Sequence, residues 1–112
     1  MTLREVLDAA AAQFELDARV GTAEDGMVTY ARGDQVFATV SADGATASFL
    51  LDPLIAGAAA RTPDVHPSSR GRGWVDLSPA VVDGHVADRA GAWLLSGYRR
   101  LPAPAADRLQ HP

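Results

Sequence analysis

Residues 27–51 read MVTYARGDQVFATVSADGATASFLL, and the parsing of that stretch decides the fold. Residues 27–31 form a β-rich run. Arg32-Gly33-Asp34 turns the chain back into a second run over 35–40. Residues 41–44 turn it again, with Asp43-Gly44 suited to positive φ, into a third run over 45–51. Short β-rich runs separated by a few turn residues mark a meander of antiparallel strands. A further short strand is expected around residues 18–22, with Glu24-Asp25-Gly26 as the connecting turn. Simple alternation along 35–40 puts Val36, Ala38 and Val40 on one face and Phe37 and Thr39 on the other.

Outward from this meander the pattern turns helical. On the N-terminal side, Thr2 and Glu5 make a T-x-x-E capping box. Leu3, Val6, Leu7, Ala10, Ala11 and Phe14 follow the i, i+3, i+4, i+7 rule, which predicts an amphipathic helix over 2–14. On the C-terminal side, Asp52-Pro53 pairs an N-cap with a proline at the first helical position. The helix it opens is expected to reach about residue 60, with Leu54, Ile55, Ala58 and Ala59 inward, and to stop at Thr62-Pro63. Residues 62–72 (TPDVHPSSRGR) read as loop, and 73–77 as a strand. Ser78-Pro79 repeats the cap-plus-proline start and predicts the longest helix, to about Arg99, with Val82, Val86, Ala90, Trp93, Leu94 and Gly97 as its stripe. Trp93 and Tyr98 belong to the core or its rim. Residues 102–112 (PAPAADRLQHP) lack periodicity and read as a frayed or disordered tail. The order helix–strands–helix–strands–helix predicts a two-layer α+β fold over residues 1–101, an antiparallel sheet packed by helices.

Composition excludes several chemistries. The chain has 112 residues and no cysteine, which removes disulfide staples, thiolate metal sites and thiol nucleophiles. An apolar core must hold the fold, feasible where roughly two-thirds of the unfolded surface becomes buried. No stretch reaches the ~18 apolar residues that span a membrane. The alanine run at 9–12 is too short for a signal sequence, so a cytoplasmic location is expected. All ten basic residues are Arg, so every cation can make planar, bidentate contacts with phosphate or carboxylate. Net charge is −4, unlike a strongly basic nucleic-acid binder. Its distribution is uneven: residues 1–60 hold three Arg against nine acids (net −6), and residues 61–112 hold seven Arg against five (net +2). Such an asymmetry is read either as a face for an anionic partner or as chance variation between small segments.

The stretch Tyr30-Ala-Arg-Gly-Asp-Gln-Val-Phe-Ala38, then Ser41-Ala-Asp-Gly44 and Leu50-Leu-Asp-Pro53, resembles the MmcQ/YjbR-like family. So do Arg72-Gly-Trp-Val-Asp-Leu77 and Leu94-Leu-Ser-Gly-Tyr-Arg99, with Ala103-Pro104 beyond; the similarity runs over about residues 3–104. The resemblance implies a small bacterial protein with an α+β layout like that of CyaY and type III secretion chaperones. It also implies a DNA-binding label, without catalytic residues. The chain departs from the family where Gln35 stands, a turn that often carries Lys, and in having no Lys at all.

No sequence frame for nucleophilic catalysis, phosphate cradling or metal binding emerges. Ser96-Gly97 and Ser68-Ser69 lack a G-x-S-x-G frame. Gly71-Arg-Gly73 is only a fragment of a phosphate loop. His66, His85 and His111 are dispersed without metal-ligand spacing. We therefore expect no catalytic residues, no metal and no cofactor. Glu24-Asp25 reads as a solvated turn, and Arg32-Gly33-Asp34 as a hairpin turn. The candidate site is His66-Pro-Ser-Ser-Arg70-Gly-Arg72-Gly-Trp74, where guanidinium, hydroxyl and ring suit phosphate contact and base stacking. The same residues suit a protein interface, and Trp74 equally suits a strand core. Arg99 and Arg100, which also complement the end of a helix dipole, join Arg70, Arg72 and Trp74 as the expected nucleic-acid-binding set. The alternative reading is a chaperone-like protein-interaction module offering a sheet face or edge.

Overall fold

The computed structural model describes residues 1–102; residues 103–112, with His111 and most of the expected tail, lie outside the described residues. Helix α1 spans Leu3–Gln13. Its capping box is formed: Glu5 N–H donates to Thr2 Oγ1 at 3.1 Å, and Thr2 N–H donates to Glu5 Oε1 at 3.1 Å. Strands β1 (Arg19–Thr22), β2 (Val28–Arg32), β3 (Gln35–Val40) and β4 (Ala47–Leu50) follow as a meander. Helix α2 (Pro53–Ala59) leads to β5 (Val65–Pro67), β6 (Trp74–Leu77) and the long helix α3 (Gly84–Arg100). The six strands form one antiparallel sheet in the order β1-β2-β3-β4-β6-β5. The architecture is the expected two-layer α+β arrangement. Among the described residues no helix is long and apolar enough to cross a membrane.

The core lies between the sheet and the helices. Paired residues Val28, Tyr30, Ala38, Val40, Ala47, Phe49, Val65, Val75 and Leu77 supply the sheet's contribution. Leu3, Val6, Leu7 and Ala10 of α1 close on it, with Val86, Ala90 and Leu94 of α3. Trp93 and Tyr98 sit at the rim, their rings edge-on to Phe49 and Phe37 with centroids 5.8 and 5.6 Å apart.

Several local expectations are overturned. Simple alternation misplaces Phe37. Tyr30 pairs with Ala38 and Ala31 with Val36, which leaves Phe37 as the extra residue of a β-bulge. The bulge turns Phe37 into the core, fully buried against Tyr98, on the same side as Ala38 and Val40. In α2 the inward residues are Ala56 and Ala59; Leu54 is 86% exposed, and Ile55 and Ala58 also face solvent. The seven-residue helix seats against β6 through its smallest side chains.

The segment read as loop over 62–72 contains β5. Val65 is buried opposite Leu77, and burial requires its backbone groups to pair. Pro67 is tolerated because β5 is an edge strand. Ser68 N–H donates to the Trp74 carbonyl at 3.0 Å, so the alternating Pro67 nitrogen faces away from β6. The last helix starts five residues later than Ser78-Pro79 implies. Ser78 N–H still donates to the Asp64 carbonyl at 2.8 Å, and its hydroxyl meets Thr46 Oγ1 at 2.8 Å. The sheet thus retains Ser78, and Asp83 caps α3 instead, accepting from Val86 N–H at 2.9 Å.

Helices α1 and α3 run in the same direction. Gly91, midway along α3, faces Ala10 in the second half of α1, and Asp17 N–H, just past α1, donates to Tyr98 Oη near the end of α3 at 3.3 Å. At Gly97 the helix touches the sheet backbone. A Cβ there would stand 2.8 Å from the Leu50 carbonyl oxygen and 3.3 Å from that of Phe37. Helix propensity alone would make Gly97→Ala stabilising by about 1 kcal/mol. The backbone clash reverses the sign, and we expect a loss of about 1–3 kcal/mol, read as a lower midpoint in urea unfolding; an unchanged or raised midpoint would contradict this seating.

Candidate anion-binding loop and polar sheet face

The sheet face away from the core carries a polar row across neighbouring strands. Thr29 pairs with Thr39, Thr39 with Ser48, Ser48 with Asp76, and Asp76 with His66. On three of the strands a single polar residue stands between buried apolar ones: Thr39 between Ala38 and Val40, Ser48 between Ala47 and Phe49, Asp76 between Val75 and Leu77. That alternation with period two is legible in the sequence. Ser48 Oγ donates to Asp76 Oδ1 at 2.6 Å. Thr39 and Ser48 are buried although they face away from the helices.

The loop between β5 and β6 overhangs this row. Ser68 Oγ accepts from Arg70 N–H at 3.2 Å, and the Gly71 carbonyl accepts from Trp74 N–H at 3.2 Å. From this turn the Arg70 guanidinium lies over the Trp74 ring, 5.4 Å from its centroid, and contacts the sulfur of Met27. Met27, Thr39, Ser41, Thr46, Ser48, Ser68, Ser69, Arg70 and Asp76 enclose a recess of about 190 Å³. Trp74 is half-buried on this face rather than a core residue.

The far side of the loop is held by Gly73. Its φ is 85°, and a Cβ would stand 2.8 Å from the Leu51 carbonyl oxygen, so only glycine fits. Leu51 N–H donates to the Gly73 carbonyl at 2.7 Å, and Arg100 Nη1 donates to the Leu51 carbonyl at 2.8 Å. Arg100 therefore arrives beside Gly73 from the end of α3. The structure brings Arg70, Arg72, Trp74 and Arg100 around one loop, and places Arg99 elsewhere, in the groove between α1 and α3. Arg4–Asp8 is the one ion pair among the described residues, so none of these four arginines is paired with a carboxylate of those residues. His66 is exposed on β5 opposite Asp76, and His85 is exposed in the first turn of α3. No group of three or more metal-ligating side chains occurs among the described residues.

Two other arginines have structural work that the sequence did not disclose. Arg32 of β2 stacks on the Tyr98 ring at 4.2 Å and donates to the carbonyls of Tyr98 and Leu101 at 3.0 and 2.9 Å. The cation serving the last carbonyls of α3 is thus Arg32, from a strand. Arg89 donates to Thr62 Oγ1 and to the Pro63 carbonyl, tying α3 to the link between α2 and β5. In both, Nε is buried without a partner.

Asp8 joins α1 to the sheet. Tyr30 Oη donates to Asp8 Oδ1 at 2.7 Å, and Arg4 Nε donates to Asp8 Oδ2 at 2.8 Å. Burial, then the hydrogen bond to the Asp8 carboxylate, pushes the Tyr30 hydroxyl well above its ordinary value of 10. On the turn after β3, hydrogen bonds from Ser41 Oγ and Ala45 N–H lower the Asp43 carboxyl below its usual range.

No family model matches the chain, and no curated protein matches its sequence. A crystal structure of a protein from Pseudomonas syringae is similar in fold, with a TM-score of 0.62 at 11% identity. The match covers 91% of this chain and 100% of that one. At that identity the likeness shows the α+β architecture alone.

The Tyr30 hydroxyl gives a testable pH dependence. A group whose folded pKa is raised contributes stability that is complete below its unfolded value and fades as pH rises past it. Stability is therefore expected to hold up to about pH 10 and fall above it. Tyr30→Phe should lower stability by about 1–2 kcal/mol at neutral pH and remove this group's share of the alkaline slope. Urea unfolding across alkaline pH checks it; identical slopes in the two proteins would refute the assignment.

Proposed function

We propose that this protein is a non-catalytic, DNA-binding module of the MmcQ/YjbR type. It would hold phosphates through Arg70, Arg72 and Arg100, with Trp74 as the aromatic platform for an unpaired base. The observation that carries the reading is the placing of Arg70, Arg72 and Arg100 around Gly71–Gly73, with the Arg70 guanidinium over the partly exposed Trp74 ring, the Arg100 guanidinium beside Gly73, and none of the three in an ion pair among the described residues. Guanidiniums contact phosphate oxygens bidentately, and an accessible indole stacks with any base. Arg70 lies over that ring, so a base would take its place while the guanidinium swings towards the phosphate. Arg99 is left out of the set, because it stands on the helical layer. With net charge −4, binding would be local to this loop and weak, on the order of the 10⁻⁴–10⁻⁶ M usual for non-specific contacts.

The resemblance supports the same reading. Tyr30–Ala38 forms the β2–β3 hairpin, Leu50–Pro53 the junction into α2 with Asp52 as N-cap, Arg72–Leu77 the loop end and β6, and Leu94–Arg99 the end of α3. These motifs therefore fall on a junction or a packed element, where a shared fold would retain them; Ala103-Pro104 lies outside the described residues.

A short single-stranded DNA labelled for fluorescence anisotropy tests the proposal. Three phosphate contacts predict that log K falls against log salt with a slope near −2, at about −0.7 per phosphate. Arg70→Ala and Arg72→Ala should each weaken binding and reduce the slope by about 0.7, while Arg4→Ala, on α1, should leave both unchanged. Absence of binding at low salt, or a slope indifferent to Arg70 and Arg72, would overturn the proposal.

A further inference from the structure

The helical layer carries a second surface, unrelated to the loop above. Between α1 and α3, on the side away from the sheet, lies an open groove of about 810 Å³. Val6, Ala9, Ala10, Phe14, Ala92 and Leu95 give it an apolar floor and walls. Met1, at its N-terminal end, is 74% exposed, and Phe14, at the other end, 39%. The exposed Met1 and Phe14 side chains and the apolar walls between them form a surface that a partner can cover.

The charges along the groove indicate which partner. Because α1 and α3 run the same way, the groove has a polarity. Glu5 and Asp88 stand at its N-terminal end and Arg99 at its C-terminal end. Asp88 and Arg99 make no side-chain hydrogen bond or ion pair among the described residues. They lie eleven residues apart on α3, about 16 Å along the axis at 1.5 Å per residue. A copy of the same surface, turned end for end, sets each Arg99 against the other copy's Glu5 and Asp88, and does so twice. A copy laid in the same direction would set acid on acid and Arg99 on Arg99. Self-complementarity of this kind is the requirement of an isologous two-fold interface.

We infer that the α1–α3 groove is a homodimer interface, covered by the same groove of a second copy in antiparallel orientation. Phe14 of each protomer enters the apolar trough of the other, and Arg99 pairs with the acidic end. The two sheets then face outward, on opposite sides of the dimer. In this arrangement Arg99 has an assignment that the anion-binding loop does not supply.

Sedimentation equilibrium of the full chain over a wide concentration range at low salt tests this. The mass should rise from 11.7 kDa towards twice that value, and salt should weaken the association. Asp88→Arg or Arg99→Asp alone should weaken it at least about tenfold, and the Asp88→Arg/Arg99→Asp double variant should restore it. Ala92→Arg, at an exposed position of the trough, should abolish it; circular dichroism of each variant confirms that the fold is retained. A chain monomeric at every concentration overturns the inference. So does a dimer that none of the three substitutions weakens, or single charge reversals that the double variant does not rescue.

Discussion

The seating of α3 on the sheet backbone is the constraint on which the rest depends. Gly97 lets the helix approach until its axis is limited by carbonyl oxygens of Leu50 and Phe37 rather than by side chains. That approach brings Tyr98 edge-on to Phe37 and within reach of Asp17 N–H. It also lets Arg32 reach the last carbonyls of the helix, and sets Arg100 to reach the Leu51 carbonyl beside Gly73. A helix held farther out by one methyl group would lengthen all of these contacts together. Close packing makes such displacements costly, since the interior has no slack to absorb them.

The two layers leave the molecule with two dissimilar outer surfaces. Away from the helices, the sheet shows the row Thr29–Thr39–Ser48–Asp76–His66, partly roofed by Arg70 and its loop. Away from the sheet, α1 and α3 show an apolar trough with charge of opposite sign at its two ends. Six of the arginines divide between these surfaces and the interior: Arg70, Arg72 and Arg100 near the β5–β6 loop, Arg99 at the trough, Arg32 and Arg89 half-buried in structural contacts. A residue type that looks uniform in composition thus sits in three different physical settings. Planarity and permanent charge suit the guanidinium to each of them.

Much of the fold was legible because local signals and tertiary demands agree. The capping box at Thr2 and Glu5, the cap-plus-proline at Asp52-Pro53 and the hairpin turn at Gly33-Asp34 all act within a few residues, and the structure uses each. The misreadings share one cause. Ser78-Pro79 is as good a helix start as Asp83 locally, but the sheet and Thr46 hold Ser78. Phe37 breaks alternation because a bulge against Tyr30 and Ala31 turns it inward. Leu54 is apolar yet exposed, since a short helix on β6 has room for alanine faces only. For the candidate site, the sequence placed Arg70, Arg72 and Trp74 together by adjacency. It could not separate Arg100 from Arg99, neighbours that one helical step of about 100° sends in different directions.

By itself, then, the sequence determined the class of fold, the order of its elements, the caps and tight turns, and the absence of thiol chemistry. Those follow from interactions between residues close along the chain, or from composition. Only the tertiary structure decided that residues 65–67 are an edge strand, that Asp83 rather than Ser78 starts α3, and that Arg32 serves its far end. It also decided which arginines share a surface. Each of these is a choice between locally equivalent options, settled by burial and by hydrogen bonds to groups distant in sequence, which no local pattern records.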